Sequence, residues 1–307
     1  HNGHDPDILV LRYTHDGELD MTFGEDGVFW YAGPGDGTDS ARGIVVQNDG
    51  KILFTGEMNS SIHKEMIAIR LTPDGVPDLK FANNGLFILN ISGEGDRFGF
   101  GIALDAEEHA VMTGGAVREG DTNSSIITVR LLADGTVDES FGMNGTVFYQ
   151  GDAGGPDYGN WVSITPDGEI LVTGAEADLD GSYDIVLLKY TNQGGSDPAF
   201  GDNGIVHYHG PGYDYAWGQE IQDDGKIIIA GTTEVHGVRY PVLLRYTPDG
   251  RPDLSFGEHG VMTFEAFGSG LLYGVHLDNE ENIYANGYIT KEGKEISLFV
   301  KIHGDDT

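Results

Sequence analysis

The sequence has no cysteine, no long hydrophobic run and few basic residues. The absence of Cys among its 307 residues excludes a disulfide framework and any thiol chemistry. No apolar run approaches the ~20 residues that a membrane-spanning helix requires, so we expect no insertion into a membrane. The 17 basic residues face 50 acidic ones, for a net charge of −33. Nucleic-acid binding depends on Lys and Arg at the phosphates, so this balance predicts that nucleic acid is not a partner.

The excess of acidic residues also indicates which surroundings suit the protein. A surface of this charge attracts divalent cations and basic partners, and it is compatible with high salt. Together with the missing cysteines, it predicts an extracellular or cell-surface protein. The oligomeric state has no signature in the sequence.

The chain is built from repeats of roughly sixty residues. One segment of the repeat occurs five times, as ILVLRYTHDGELDMTFGEDGVFWY from Ile8, MIAIRLTPDGVPDLKFANNGLFIL from Met66, IITVRLLADGTVDESFGMNGTVFY from Ile126, IVLLKYTNQGGSDPAFGDNGIVHY from Ile185 and PVLLRYTPDGRPDLSFGEHGVMTF from Pro241. A truncated sixth copy, SLFVKIHG, begins at Ser297. One basic residue keeps its place in all six copies: Arg12, Arg70, Arg130, Lys189, Arg245 and Lys301. Because the repeat runs through the whole chain, we expect a single domain over residues 1–307.

A second segment lies between the copies of the first and has the pattern of strand, turn and strand. Its copies are GIVVQNDGKILFTG from Gly43, GIALDAEEHAVMTG from Gly101, WVSITPDGEILVTG from Trp161, GQEIQDDGKIIIAG from Gly218 and GVHLDNEENIYANG from Gly274. Each repeat therefore contains four short apolar runs bounded by Asp-Gly, Asn-Gly or Gly-rich turns. Four-stranded units in tandem, without helical periodicity, predict an all-β protein with a β-propeller fold.

The first strand of the second segment is predicted to be the innermost strand of each blade. These strands are Ile44–Gln47, Ile102–Asp105, Val162–Thr165, Gln219–Gln222 and Val275–Asp278, which predicts five blades of four antiparallel strands. Strands from both termini are expected to share one blade and close the ring, because this leaves no sheet edge unpaired. One strand is then surplus, since the first and last segments hold the same place in the repeat. Either one of them is displaced, or the natural chain is longer.

The pattern T-x-D-G-x-x-D-x-x-F-G-x-x-G, followed half a repeat later by x-D-G-K-I-x-x-x-G, resembles the delta-60 repeat of a bacterial β-propeller family. Its first copy consists of Thr14-His15-Asp16-Gly17, Asp20, Phe23-Gly24 and Gly27. The resemblance implies a secreted or surface-bound protein, and the family offers no established activity or catalytic residues. The departures from the pattern are Gln193 for Asp, Ala82 for Gly, and Glu107-Glu108 and Glu280-Glu281 for Asp-Gly.

Acidic residues recur at fixed positions of the repeat and have two interpretations. They are Asp16, Asp74, Asp134 and Asp249 in one turn, and Asp20, Asp78, Asp138, Asp197 and Asp253 shortly after it. Either they form repeated cation sites, or they accept backbone hydrogen bonds in turns and neutralise the periodic Arg and Lys. Recurrence in every blade favours the role in folding, because a ligand site usually belongs to one place.

One acidic loop has the character of a calcium site. Asp178, Asp180 and Asp184 place oxygen donors at alternate positions of the segment DLDGSYD, as a hard cation requires. The twelfth position of an EF-hand-type loop is Lys189 instead of a bidentate Glu, which favours a solvated acidic loop. We therefore expect no required cofactor, with Ca²⁺ as the cation that this loop suits. His1 and His4 are too few for a transition-metal site.

The repeat is broken just before each innermost strand, at the predicted mouth of the central channel. The residues there are Arg42, Phe100, Asn160, Trp217 and Tyr273, with Asp39, Asp157 and Asp214 three residues earlier in three blades and Trp161 as a neighbour. Aromatic rings in such a place can stack on sugar faces, while carboxylates and an Arg bond to hydroxyl groups. We therefore predict that these residues bind a ligand. The alternative is that the aromatic side chains pack between blades.

Three functions fit this sequence. The first is a non-enzymatic surface propeller for binding, adhesion or assembly, with a carbohydrate or a surface protein as partner. The second is a glycan-active hydrolase or lyase that uses Asp39, Asp157 and Asp214, whose carboxylates would have to lie roughly 5–10 Å apart. The third is a Ca²⁺-dependent structural subunit of a surface layer or filament. The lack of any catalytic signature favours the first function.

Overall fold

The computed structural model describes residues 6–91, 95–179 and 181–304. These residues form an all-β structure, apart from one short 3-10 helix, Glu265–Phe267. The chain divides into two compact units, His1–Tyr149 and Gln150–Thr307, which we call unit 1 and unit 2. Within the described ranges, no helix is long and apolar enough to cross a bilayer.

Unit 1 contains three antiparallel sheets in its described residues. The first is formed by β1 (Ile8–Leu11) and β2 (Val28–Tyr31). The second consists of β3 (Ser40–Val46), β4 (Ile52–Asn59), β5 (Lys64–Leu71) and β6 (Leu86–Ile88). The third consists of β7 (Arg97–Leu104), β8 (Ala110–Ala116), β9 (Ser125–Leu131) and β10 (Thr146–Tyr149).

Unit 2 repeats this arrangement. Its first sheet consists of β11 (Tyr158–Ile164), β12 (Ile170–Ala177), β13 (Tyr183–Tyr190) and β14 (Ile205–Tyr208). The next consists of β15 (Tyr215–Ile221), β16 (Ile227–Val235), β17 (Val238–Tyr246) and β18 (Val261–Thr263). The last consists of β19 (Ser269–Leu277), β20 (Ile283–Lys291) and β21 (Lys294–Ile302).

The predicted β-propeller fold is confirmed, because each sheet is one blade whose strands follow in chain order. We call these strands inner, second, third and outer. The predicted innermost strands lie in β3, β7, β11, β15 and β19, each of which begins a few residues before the predicted range. The second and third strands are buried on both faces, since consecutive sheets within each unit share apolar clusters. Their near-continuous apolar sequences follow from this burial.

The sheet order differs from the prediction at the ends of the chain. There are six sheets among the described residues instead of five, and no sheet combines strands from both termini. The predicted surplus strand explains the difference. The third place beside β20 is taken by β21 through nine register pairs, while β1 pairs with β2 in a sheet of its own.

The periodic basic residue of each repeat forms one cluster with the Asp and the Phe that follow it. The shortest ion-pair distances in the five copies are 2.9, 3.0, 2.7, 3.1 and 2.9 Å, in the pairs Arg12–Asp20, Arg70–Asp78, Arg130–Asp138, Lys189–Asp197 and Arg245–Asp253. Each cation also lies 4.5 to 5.5 Å from the ring centre of the buried Phe. The structural role predicted for the second set of acidic residues, from Asp20 to Asp253, is thereby confirmed.

Candidate functional site

The five residues that break the repeat all lie at a β-bulge. The register between inner and second strand shifts at Arg42, Phe100, Asn160, Trp217 and Tyr273, one in each inner strand. A bulge leaves one residue without a partner in the ladder and turns its side chain to a new direction. The variable position of the repeat is therefore a position whose backbone is built to present a side chain.

Glycines beside the bulges allow neighbouring inner strands to approach each other. A Cβ atom on Gly43 would lie 2.9 Å from the carbonyl oxygen of Phe100, and one on Gly218 would lie 2.9 Å from the Cα atom of Gly274. Only a residue without a side chain fits such a contact. Trp161 takes the corresponding position in β11, where it is 38% exposed.

The three predicted carboxylates serve the loops instead of an open site. Asp39, Asp157 and Asp214 are at most 3% exposed. Asp39 accepts hydrogen bonds from the backbone N–H groups of Gly33 (2.6 Å) and Asn59 (2.8 Å). Asp157 accepts the equivalent bonds from Gly151 (2.7 Å) and Ala177 (3.1 Å).

Asp214 follows the same scheme, with a 2.7 Å hydrogen bond from the N–H of Gly210. Each carboxylate thus fixes the loop that leads into an inner strand, and in two of the three blades it is also bonded to the end of the second strand. Burial raises the pKa of Asp157 to about 6 and that of Asp214 to about 6, although backbone hydrogen bonds oppose the shift. The three carboxylates proposed as acids or bases are thus buried and bonded to the backbone of their own loops.

Unit 2 carries a continuous row of aromatic side chains, which we call the aromatic row. It consists of Tyr183, Tyr213, Tyr215, Trp217, Tyr273 and Tyr288. Neighbouring ring centres are 4.6 to 6.1 Å apart, within the range of favourable ring contacts. The row includes two of the predicted ligand-binding residues, Trp217 and Tyr273, and the latter is 51% exposed.

Polar groups accompany the aromatic row. The amide of Asn160 donates to the carbonyl oxygen of Ala216 (2.7 Å) and accepts from the hydroxyl of Tyr215 (3.3 Å), which links β11 to β15. At one end of the row, the guanidinium carbon of Arg239 lies 3.5 Å from the ring centre of Tyr213. The same guanidinium lies 3.5 Å from the carboxylate of Glu234. Burial raises the pKa of Tyr215 to about 12, so its hydroxyl stays protonated at neutral pH.

Unit 1 has a different arrangement at its two bulges. The rings of Phe98 and Phe100 stack with centres 5.9 Å apart, and Arg42 lies 5.3 Å from the centre of the second ring. Arg42 and Lys64 also lie 3.4 and 3.6 Å from the buried carboxylate of Glu57. These two cations therefore pair with a carboxylate of the same unit, next to the two stacked rings.

Six residues of these two groups were not predicted: Glu57, Lys64, Tyr183, Glu234, Arg239 and Tyr288. They lie near the ends of second or third strands, away from the segment where the repeat is visibly broken. The pairing register between neighbouring strands is the signal that could have identified them. Tyr288 pairs with Leu271 in β20 and β19, two residues from the bulge at Tyr273, so strand pairing brings it to the site.

The predicted calcium loop has its described carboxylates engaged with protein groups. Asp178 accepts a hydrogen bond from the hydroxyl of Ser182 (3.2 Å), and Asp184 contacts Nδ1 of His209 (2.6 Å). Asp180, His1 and His4 lie outside the described residues. The closest grouping of three metal-ligand side chains in the described part of the chain is elsewhere, at Asp105, Glu107 and His109. Calcium binding by the loop stays a prediction.

Four segments of the chain match one family model, described as "Domain of unknown function (DUF5122) beta-propeller": residues 47–81, 111–141, 165–200 and 222–256. Each matched segment ends at the buried Phe of the periodic cluster. The match therefore follows the repeat that the structure shows and supports a propeller repeat family. The comparison with curated proteins gives no match.

Solved structures with a similar fold include a protein of unknown function from Dyadobacter fermentans DSM 18053. It is 10% identical, with a TM-score of 0.50, over 88% of this chain and 80% of that chain. A polysaccharide lyase (11% identical, TM-score 0.49) covers 97% of this chain and 76% of its own. A glucose dehydrogenase is 12% identical, with a TM-score of 0.47, over 87% of this chain and 82% of that chain. The likeness to the first shows the fold alone, and the chain is a β-propeller with repeats similar to those of the matched family model.

Proposed function

We propose that the protein is a non-enzymatic binding module, extracellular or at the cell surface, which binds neutral carbohydrate on the aromatic row of unit 2. We also assign its repeat to the delta-60 type, on the pattern from Thr14 to Gly27 and its later copies. The observation that carries the proposal is the aromatic row itself. Six rings in contact run from Tyr183 and Tyr213 to Tyr288 and include the half-exposed Tyr273.

The chemistry of the row suits a sugar better than another small ligand. The faces of pyranose rings carry C–H groups that pack on aromatic rings, and protonated Tyr hydroxyls donate to sugar oxygens. Arg239 and Glu234 provide a donor and an acceptor next to the rings. A neutral glycan is favoured over an acidic one, because the net charge of −33 repels a polyanion.

A binding role also agrees with the burial and backbone hydrogen bonds of the three Asp carboxylates. Asp39, Asp157 and Asp214 hold loops by backbone hydrogen bonds, and two of them lead directly into the strands that carry Asn160 and Trp217. Pre-arranged loops and rings lower the ordering cost of binding. Asp157 and Asp214 therefore position the site and do not contact the sugar, while Asp39 holds the equivalent loop of unit 1.

The test is a titration with neutral oligosaccharides, followed by intrinsic Trp fluorescence and by calorimetry. The probes are cellohexaose, maltohexaose and xylohexaose, with oligogalacturonate as the acidic comparison. We expect saturable binding of at least one neutral probe, at least tenfold weaker binding in Tyr273→Ala and Trp217→Ala, and no release of reducing ends. Phe299→Ala is the matched control, since this ring is 82% exposed in the same sheet but lies outside the row.

Two results would overturn the proposal. One is the absence of saturable binding by any of the four probes at both low and high salt. The other is an equal loss of affinity in Phe299→Ala and Tyr273→Ala, which would place the sugar elsewhere on the sheet.

A further inference from the structure

The turn between β7 and β8 in unit 1 brings three metal-binding side chains together. Asp105, Glu107 and His109 each offer a ligand atom, and these atoms all lie within 4.8 Å of one another. Nδ1 of His109 lies 3.0 Å from Oδ2 of Asp105, and the side chain of Glu107 is exposed beside them. Bonds of about 2.0–2.2 Å from one ion place two ligand atoms roughly 3 Å apart. The spacing of the first two ligand atoms therefore already suits a shared ion.

The equivalent turns in other sheets contain a lysine of the chain beside their acidic residues. The turn joins an inner to a second strand and recurs at residues 47–51, 165–169, 222–226 and 278–282, each time closed by a backbone hydrogen bond between its first and last residues. Three of these turns have a carboxylate paired with a lysine ammonium, in the pairs Lys51–Asp49, Lys189–Glu169 (2.6 Å) and Lys226–Asp224 (2.9 Å).

The turn 105–109 has two acidic residues without such a lysine. Among the described residues, the basic side chain within ion-pair distance of Asp105 is the imidazole of His109, and no Lys or Arg reaches Asp105 or Glu107. The backbone of the turn is held in place by Glu108, whose carboxylate accepts hydrogen bonds from Gln47 (2.8 Å) and from the N–H of Asn48 (3.1 Å). Ligands on a backbone fixed in this way lose little freedom when they bind.

The turn 278–282 shows how the same two acidic positions are held by an amide. Nδ2 of Asn282 donates to Oδ2 of Asp278 (2.8 Å) and lies 3.4 Å from Oε2 of Glu280. The last residue of the turn thus reaches both carboxylates. His109 has this position in the turn 105–109, and an imidazole nitrogen differs from an amide N–H group because its lone pair can bind a metal.

We propose that Asp105, Glu107 and His109 form a binding site for a divalent transition-metal ion of the Zn²⁺ class. One imidazole nitrogen and two carboxylate oxygens suit Zn²⁺, whereas Ca²⁺ takes about six to eight oxygen ligands. The ion supplies the positive charge that a lysine supplies in three of the other turns. Nδ1 of His109 binds it through the lone pair, and the imidazole proton then lies on Nε2. Water completes the coordination, because three protein ligands leave a four-coordinate ion one open position.

The experiment titrates the full chain with ZnCl₂ by calorimetry after EDTA treatment and dialysis, since an exposed ligand such as Glu107 lets the ion exchange and the site fills when metal is supplied. We expect saturable binding that excess CaCl₂ does not displace, and an unfolding temperature that rises with Zn²⁺. His109→Asn and Glu107→Gln should each weaken this binding at least tenfold. His109→Asn introduces the amide found in the turn 278–282, so folding is preserved.

A reciprocal variant and a control locate the site. Asn282→His gives the turn 278–282 the same three ligand types, and it should add a second Zn²⁺ site of similar affinity. His276→Asn is the matched control, because this imidazole is 78% exposed and lies 3.2 Å from one carboxylate, that of Glu220. Its loss should leave the affinity unchanged. In crystals soaked with ZnCl₂, anomalous scattering at the zinc edge should place the ion at the turn 105–109.

The proposal is overturned if Zn²⁺ does not bind saturably, if His109→Asn binds it as tightly as the wild type, or if Asn282→His adds no site. Equal losses of affinity in His276→Asn and His109→Asn would also overturn it, since exposed imidazoles would then bind an adventitious ion only. The ligands lie in unit 1 and the aromatic row lies in unit 2, so the outcome is independent of the proposed carbohydrate site.

Discussion

Ala82 departs from the repeat at a position where the backbone conformation favours Gly. It follows the buried Phe of its repeat, where the four other copies of the motif carry Gly24, Gly142, Gly201 and Gly257, all with positive φ. Ala82 adopts φ 43° at the same place. A side chain in this left-handed region is unfavourable for an L-residue.

We therefore expect Ala82→Gly to raise the free energy of unfolding by about 0.5–1 kcal/mol, since relief of the strained φ exceeds the extra entropy of Gly in the unfolded chain. Chemical denaturation measures the change. The reverse substitution Gly201→Ala should destabilise by more than this, because its Cβ would lie 2.2 Å from the carbonyl oxygen of Ile205. A destabilised Ala82→Gly variant would show that the left-handed backbone carries no strain.

Asp157 gives the protein a pH-dependent stability. Its pKa is about 6 in the folded state because of burial, against an ordinary value of 3.8. The folded protein therefore binds a proton more tightly than the unfolded chain does. The stability from this group is fully present below about pH 4 and is lost as the pH rises through about 6, by up to about 3 kcal/mol for a shift of two units.

The substitution Asp157→Asn removes this titration. The stability of the variant relative to the wild type should increase between pH 4 and pH 7, which thermal unfolding at matched ionic strength can measure. Asp16→Asn is the surface control, because the side chain of Asp16 is 92% exposed, and it shows whether the loss of one carboxylate charge reproduces the effect. A pH-independent difference for Asp157→Asn would mean that the carboxylate is ionised and well solvated throughout.

The residues of the candidate site were only partly predictable from the sequence. The loss of repeat at Arg42, Phe100, Asn160, Trp217 and Tyr273 correctly marks special positions, and the structure shows that each is a bulge. Spacing gives the place of Asp39, Asp157 and Asp214 but not the direction of their side chains. That direction depends on loops whose N–H groups need acceptors once they are buried.

At the scale of elements, two hairpin turns show what replaces Asp-Gly. Glu108 and Glu281 have positive φ in the turns between inner and second strands, where Gly is usual. The carboxylate of Glu108 accepts hydrogen bonds from Nε2 of Gln47 (2.8 Å) and the N–H of Asn48 (3.1 Å) in the turn of the preceding sheet. Glu281 does the same with Gln222 (2.9 Å) in unit 2. The strained turn is thus offset by a bond between neighbouring blades.

We expect Glu108→Ala to lower the free energy of unfolding by about 1–2 kcal/mol, because the strained φ remains while charge-assisted hydrogen bonds are lost. Glu107→Ala, next to it in the same turn and exposed, should change stability by less than about 0.5 kcal/mol. Urea denaturation of both variants tests the comparison. Equal effects would show that the bonds between the turns contribute nothing.

The sequence predicts the type of each strand better than its partner. The phase of the repeat identifies inner, second, third and outer strands correctly, because alternation and turn residues act locally. It does not decide between β1 and β21, which have the same place in the repeat. The choice depends on length and register, and β21 offers nine residues beside β20 whereas β1 has four.

At the scale of the whole molecule, the acidic composition raises the question of bound calcium. Ca²⁺ that binds only the folded protein would raise its stability. Since Asp178 and Asp184 are engaged with Ser182 and His209, we expect thermal unfolding to be unchanged by EDTA. A lower unfolding temperature in EDTA, reversed by CaCl₂ but not by NaCl of equal ionic strength, would contradict this and support the calcium loop.

The net charge itself predicts how stability depends on salt. Six of the 17 basic residues are the periodic cations, and five of these are paired with a nearby Asp within their own cluster, so the other acidic residues far outnumber the cations left to pair with them. Their repulsion destabilises the compact state and is screened over a Debye length of ~30 Å at 0.01 M salt and ~8 Å at 0.15 M. We therefore expect the unfolding temperature to rise with NaCl.

The shape of this rise distinguishes screening from other salt effects. The Debye length falls by ~20 Å between 0.01 and 0.15 M salt but by only ~5 Å more up to 1 M, so most of the gain should occur below about 0.2 M NaCl. Preferential exclusion of salt from the surface grows steadily into the molar range instead. Scanning calorimetry from 0.01 to 1 M NaCl measures the curve. A flat response below about 0.2 M would mean that the acidic residues are already neutralised by bound cations, and EDTA should then shift the same curve.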